Sequence, residues 1–136
     1  MNIKNYKRKI KFSSLILAFA MARCSNLADG GQSTLIKELN NAAGNKKATL
    51  FVRESGATVP DSYQISVQNR DHVFEKSEVG NAFVVDDNHG QANLDSASIR
   101  FHWVSNDTLE IEYDKRLRIF NQTRSINEVA IFYNPK

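Results

Sequence analysis

The stretch Ser98–Asp114, SIRFHWVSNDTLEIEYD, decides the fold class. Apolar and polar residues alternate on both sides of Asn106-Asp107, which is the pattern of two strands joined by a tight turn. A loop over 105–107 predicts these cross-strand pairs: Trp103 with Leu109, Phe101 with Ile111, His102 with Glu110, and Arg100 with Glu112. In this register the apolar pairs share the inner face and the polar, charged pairs share the outer face, so both faces agree.

Strand patterns continue on both sides of this hairpin. The further candidates are TLFVRE, YQISVQN, NAFVVDD, RLRIFN, NEVAIFYN and, more weakly, HVFEKS over 72–77. About seven or eight strands over roughly 90 residues predict a small antiparallel β-sandwich or barrel-like domain.

One short N-terminal helix is predicted before the strands, over 34–44. In TLIKELNNAAG the apolar residues recur at helical spacing, Ser33 is placed to cap the start, and Gly44 is placed to close the end. The predicted organisation is a mainly β chain: 1–22 as a signal peptide, 23–33 as a tether, and 34–136 as a single β-rich domain.

The first 22 residues have the features of a secretory signal peptide. A basic stretch without acidic residues precedes FSSLILAFAMA, eleven residues without a charge. A charged region, a short apolar region and small residues before a cleavage site define such a peptide. Eleven residues are too few to cross the hydrocarbon core as a helix, which needs about 20.

Cys24, the only cysteine, allows two processing routes. Its position after an apolar stretch resembles a lipobox, in which the cysteine becomes the lipidated first residue and anchors the chain to a membrane. Arg23 directly before it fits that motif poorly. The alternative is cleavage after Ala22 at the A-x-A site 20–22, which leaves a free thiol on a soluble periplasmic or secreted protein.

The net charge of the mature chain argues against a nucleic-acid partner. Residues 1–22 hold five of the 18 cations and no acid, so residues 23–136 carry 13 cations and 15 acids. The basic isoelectric point therefore comes from the targeting segment, and nothing in the remainder predicts an electrostatic nucleic-acid surface. No cofactor is implied.

The cluster with the most side chains capable of binding a metal or transferring a proton is Asp86-Asp87-Asn88-His89. It follows an apolar strand and precedes Gly90. Carboxylates beside an imidazole can bind Zn²⁺, Mn²⁺ or Ca²⁺, so Asp86, Asp87 and His89 are candidate metal ligands. A polar turn explains the same residues, because Asp, Asn and Gly favour turns. A Ser62–His89–Asp87 triad is a further alternative, although no G-x-S-x-G motif frames the serine.

A basic patch follows the hairpin: Lys115, Arg116, Arg118 and Arg124. A strand over 116–121 places Arg116 and Arg118 on one face, where an acidic ligand or partner could bind. The alternative is a solvated face balanced by neighbouring acids.

Three stretches together resemble a known family: SGATVPDSYQISV, NAFVVDDNHG and IRFHWVSNDTLEIEYDKRLRIF. The family consists of small uncharacterised bacterial proteins, many of them exported or lipoproteins, known as a domain of unknown function. The resemblance covers roughly residues 48–134, with the blocks in the same order. A cysteine often stands where this chain has Ser55, so any role of that thiol is missing here. The resemblance implies no activity or catalytic residue.

The sequence thus predicts a non-catalytic lipoprotein of the bacterial cell envelope that binds an envelope protein or ligand. One alternative is a small metal-dependent or hydrolytic enzyme that uses the Asp86/Asp87/His89 loop. Another is an inhibitor or immunity-type partner protein.

Overall fold

The computed structural model describes residues 31–136, and in this part of the chain it contains strands but no helix. The strands are β1 (Ser33–Asn40), β2 (Lys46–Arg53), β3 (Ser62–Asn69), β4 (Phe83–Asp86), β5 (Ile99–Ser105), β6 (Thr108–Tyr113), β7 (Arg118–Gln122), β8 (Ser125–Ile126) and β9 (Val129–Pro135). The prediction of a mainly β domain is confirmed. The predicted signal peptide 1–22 and Cys24 lie outside the described residues.

The strands form two sheets. The first sheet has the order β1-β2-β3-β4-β7, and the second has the order β5-β6-β9-β8. The expectation of purely antiparallel pairing is wrong at one place, because β9 pairs with β6 in parallel. After β6 the chain crosses into the first sheet as β7 and returns to the second sheet, where β9 runs beside β6 in the same direction. The alternation of apolar and polar residues within one strand cannot reveal this route.

The β5–β6 hairpin has the predicted register. All four predicted cross-strand pairs are present. The turn differs, because Ser105 pairs with Thr108 and leaves Val104 as the extra residue of a β-bulge. His102 is exposed beside Glu110, while Trp103 is half-buried and its Nε1 donates to the carbonyl of Leu39 at 2.9 Å.

The helix predicted over 34–44 is wrong, because these residues form the edge strand β1 and its turn into β2. β1 pairs with β2 along its whole length, with Ile36 as a bulge residue. An isolated helix of three turns is marginal in water, whereas the neighbouring strand β2 offers a complete row of hydrogen-bonding groups. The apolar residues that suggested a helical face are partly exposed: Leu35 by 43% and Ile36 by 37%.

A single hydrophobic core lies between the sheets. The first sheet contributes Ala48, Leu50, Ile65, Val67, Phe83 and Val85, and the second contributes Ile99, Phe101, Leu109, Ile111, Val129 and Ile131. The ring of Phe83 contacts Tyr113 and Tyr133, with centroids 5.1 and 5.3 Å away. The period-2 pattern of the strands therefore reports their buried face correctly.

A long connection over 70–82, which we call the strap, covers the outer face of the first sheet. The segment 72–77, expected as a weak strand, belongs to this strap and forms no strand. The Phe74 ring packs on Phe51 with centroids 5.2 Å apart, and Ser66 beneath the strap is fully buried. One face of the molecule is therefore closed by the chain itself, while the outer face of the second sheet bears exposed residues such as Phe132.

Three of the four edge strands in the described chain are interrupted by bulges. β1, β5 and β7 each carry a bulge at an exposed apolar residue: Ile36, Val104 and Phe120. The fourth edge, β8, is only two residues long. Bulges disfavour edge-to-edge pairing with another chain, whereas β8 covers only the first two residues of β9.

Candidate functional site

The side chains selected from the sequence gather at one end of the domain, which we call the N-terminal pole. In the first sheet, this end runs from Ser33, where β1 starts, to Asp86 at the end of β4 and Arg118 at the start of β7. Two connections, over 87–98 and 114–117, join the sheets here. The neighbouring strands β4 and β7 therefore bring together Asp86 and Arg118, which are 32 positions apart in the sequence.

An ion pair between Asp86 and Arg118 forms the centre of this pole. Arg118 Nε donates to Asp86 Oδ1 at 3.1 Å, and Nη2 donates to Oδ2. The same carboxylate accepts the backbone N–H of Asn88 at 2.9 Å, and Asp86 is only 3% exposed. Burial raises the pKa of Asp86, but the hydrogen bonds from Arg118 and Asn88 outweigh burial and hold the pKa below its usual value. The carboxylate stays ionised and is engaged on both oxygens.

His89 reaches this pair from a left-handed turn. The backbone φ is positive at Asn88 (52°), His89 (58°) and Gly90 (79°), a conformation that glycine adopts freely and that Asn and His adopt more often than most residues. His89 Nε2 lies 2.8 Å from Arg118 Nη1. Because a guanidinium only donates, Arg118 is the donor in this contact and His89 Nε2 is the acceptor.

Asp87 does not share a site with Asp86. Its Oδ1 is buried and accepts no hydrogen bond from the residues described. Over residues 31–136, no group of three His, Cys, Asp or Glu side chains is arranged to hold a metal ion. The geometry gives no support to metal binding by Asp86, Asp87 and His89, because Arg118 occupies the position that a cation would need.

Arg116 does not lie on a strand face with Arg118, so that expectation is wrong. It belongs to the turn before β7, where its Nε donates to both oxygens of Asp114 at 3.0 and 3.1 Å and its Nη2 donates at 2.6 Å. The hydrogen bonds from the Arg116 side chain and backbone lower the pKa of Asp114 to about 2. Both arginines proposed for binding are therefore neutralised by carboxylates of this chain.

The Ser62–His89–Asp87 triad is not assembled. Ser62 Oγ accepts a hydrogen bond from Gln64 Nε2 at 2.8 Å, while His89 Nε2 is engaged by Arg118. Within the described chain, no hydrogen bond joins Ser62 to His89. Since a general base must lie within hydrogen-bond reach of its nucleophile, this arrangement offers no activated serine.

Sequence reasoning missed Glu78 in the strap. Its side chain is 8% exposed, and its oxygens meet Gln68 Nε2 at 2.5 Å and His72 Nε2 at 3.0 Å. Its backbone carbonyl accepts from Ser33 Oγ and Arg53 Nη1. Only the presence of an acid and a histidine in one segment could have hinted at this contact. These bonds hold the strap on the first sheet, which is a structural role.

Comparisons with known proteins add no family to this geometry. No family model, curated protein or solved structure gave a significant match to the chain. The resemblance to exported bacterial proteins of unknown function stays a prediction. In the part of the chain described, no helix is long and apolar enough to cross a membrane.

Proposed function

We propose that this chain is exported, is anchored to a membrane of the bacterial envelope through a lipid on Cys24, and acts there as a non-catalytic binding domain. The cationic, apolar and cysteine-containing segment 4–24 supports export and anchoring. Cys24 lies nine positions before Ser33, and nine extended residues span at most about 30 Å. An anchored chain would therefore hold its N-terminal pole close to the membrane.

One observation carries the non-catalytic part of the proposal. At the N-terminal pole, Asp86 and His89 are both engaged by Arg118, and Asp114 is engaged by Arg116. A general acid or base needs a free site beside its substrate and a pKa matched to its task. Here the low pKa values of Asp86 and Asp114 suit permanent ion pairs and not proton transfer.

The exposed surfaces support binding through faces and loops. The edge strands β1, β5 and β7 carry bulges, so addition of a partner strand is disfavoured at these three edges. The strap covers one outer face. The N-terminal pole, with its connections 87–98 and 114–117, remains accessible to a ligand.

Fractionation of the native host tests this proposal. We expect the wild-type chain in the membrane fraction and the Cys24→Ser variant in the soluble fraction, with the same denaturation midpoint for both folded domains. A Ser25→Ala variant is the matched control and should stay with the membrane. If wild type and Cys24→Ser are equally soluble, the anchor is excluded and cleavage after Ala22 becomes the better account.

Metal analysis of the purified chain tests the non-catalytic part. We expect no stoichiometric metal, and no change in metal content in His89→Ala or Asp87→Ala. Stoichiometric metal that disappears in both variants, while His102→Ala retains it, would contradict the proposal and favour the metal-dependent enzyme.

A further inference from the structure

A groove of about 570 Å³ opens at the N-terminal pole. It is lined by the loop over 93–98, by Arg100 of β5, by the end of β6, and by the turn over 114–117. This volume is in the range of sites that bind small molecules. None of the residues considered in the sequence as metal ligands or as a triad lines this groove, so it is a separate feature of the pole.

Two cations of the groove are neutralised by neighbouring acids. Arg116 is bound by Asp114, and Lys136 Nζ lies 3.4 Å from Glu112 Oε1. The contact between Lys136 and Glu112 is relevant to Arg100, because Glu112 is the cross-strand partner of Arg100 in the hairpin. Lys136 holds that carboxylate, and Arg100 forms no ion pair with any residue in 31–136.

Lys115 is the second cation of the groove that forms no ion pair with any residue in 31–136. Its neighbour Asp114 is held on both oxygens by Arg116. No carboxylate in the described chain lies within ion-pair distance of the Lys115 ammonium. Arg100 and Lys115 thus line one groove as cations without an ion-pair partner among residues 31–136. Cations that hold no carboxylate of their own chain in a concave surface attract an anionic group of a ligand.

The acids of the groove limit what the ligand can be. Asp95 Oδ1 accepts hydrogen bonds from the backbone N–H groups of Ala97 and Ser98 and from Ser98 Oγ. These bonds lower the pKa of Asp95, so its negative charge is permanent near neutral pH. A polyanion such as a nucleic acid would be repelled by Asp95 and Glu112, whereas a ligand with one anionic group would not.

We infer that this groove binds a small ligand through one carboxylate or phosphate group held between Arg100 and Lys115, with a donor or cationic part of the ligand toward Asp95. The inference rests on the proposed binding function and names the ligand class. An unlipidated chain that binds the anion would keep this inference and remove the anchor. A lipidated chain whose groove binds no anion would keep the anchor and remove this inference.

Nuclear magnetic resonance titration of the exported Cys24→Ser chain tests the groove, with acetate and inorganic phosphate as separate probes. We expect saturable shifts of the Arg100 and Lys115 backbone amides with at least one probe. Saturation by acetate alone indicates a carboxylate ligand, and saturation by phosphate alone indicates a phosphate ester.

Variants decide whether the two cations are responsible. In Arg100→Gln and in Lys115→Gln, the dissociation constant should rise about tenfold, as expected for loss of one charge-assisted contact. A matched control, Lys76→Gln with Arg124→Gln, removes two cations outside the groove that form no ion pair within residues 31–136. Unsaturable shifts with both probes, or equal weakening in the control, would overturn the inference.

Discussion

Asn41 is the residue whose replacement tests the packing of this domain most sharply. Its side chain ties the β1–β2 turn to the tip of the β5–β6 hairpin and is 4% exposed. Oδ1 accepts the backbone N–H groups of Asn45 and Lys46 at 3.0 and 3.1 Å. Nδ2 donates to Asn45 Oδ1 at 2.8 Å and to the carbonyl of Asn106 at 2.7 Å. All four hydrogen-bonding positions of the amide are used.

The expected cost follows from these contacts. Each hydrogen bond contributes about 1 kcal/mol net, and water can reach part of the groups left behind, so Asn41→Ala should lower the free energy of unfolding by about 2–3 kcal/mol. For a domain near 100 residues, a loss of 1 kcal/mol lowers Tm by roughly 4–8 °C, so Tm should fall by roughly 10–20 °C. Urea denaturation followed by Trp103 fluorescence measures the change.

Two variants separate this account from a general loss of packing. Asn41→Asp keeps both acceptor contacts but places a carboxylate oxygen against two other oxygens, so it should be at least as destabilising as Asn41→Ala. Asn45→Ala removes one side-chain contact and should cost about 1 kcal/mol. If Asn41→Ala costs no more than Asn45→Ala, or if Asn41→Asp is tolerated, the reasoning is refuted.

Three further predictions follow from burial, charge and backbone conformation. Trp103→Ala should cost about 3 kcal/mol and His102→Ala less than about 1 kcal/mol in chemical denaturation, because only Trp103 packs on the core; equal costs would refute the face assignment. Glu128 has φ +65°, so Glu128→Gly should stabilise the β8–β9 turn by about 0.5–1 kcal/mol; a lower Tm than that of Glu128→Ala would count against this. The pKa of Asp86 is lower in the folded than in the unfolded chain, so its contribution is present above the unfolded value of about 3.9 and is lost as pH falls through the folded value. Asp86→Asn should therefore flatten the loss of stability below about pH 4, and Arg118→Gln should do the same by raising the pKa of Asp86; acid limbs identical to wild type would contradict the ion pair.

The alternation of apolar and polar residues correctly predicted the strands that depend mainly on their neighbours in the sequence. The β5–β6 hairpin was predictable because apolar alternation and the Asn106-Asp107 turn agree within one short stretch. The same reasoning failed at β1, where Leu35 and Ile36 have helical spacing and the strand forms because β2 lies beside it. A marginal local preference was overridden by long-range backbone pairing.

The candidate site was predictable in its residues but not in their roles. Asp86, His89 and Arg118 were selected as chemically capable, yet their mutual pairing depends on β4 and β7 becoming neighbours in the first sheet. The pairing of Arg116 with Asp114 is local and could have been predicted from their spacing within a turn. The ion pair between Lys136, which directly follows β9, and Glu112 of β6 depends on these two strands being neighbours in the second sheet, and no local pattern reports it.

Intact mass spectrometry of the chain from the membrane fraction of its native host tests the central claim most directly. The account predicts a mature chain that starts at Cys24 and carries the added mass of a diacylglyceryl group. An unmodified chain that starts at Arg23 in the soluble fraction would contradict it, since that result means cleavage after Ala22 and a diffusible protein.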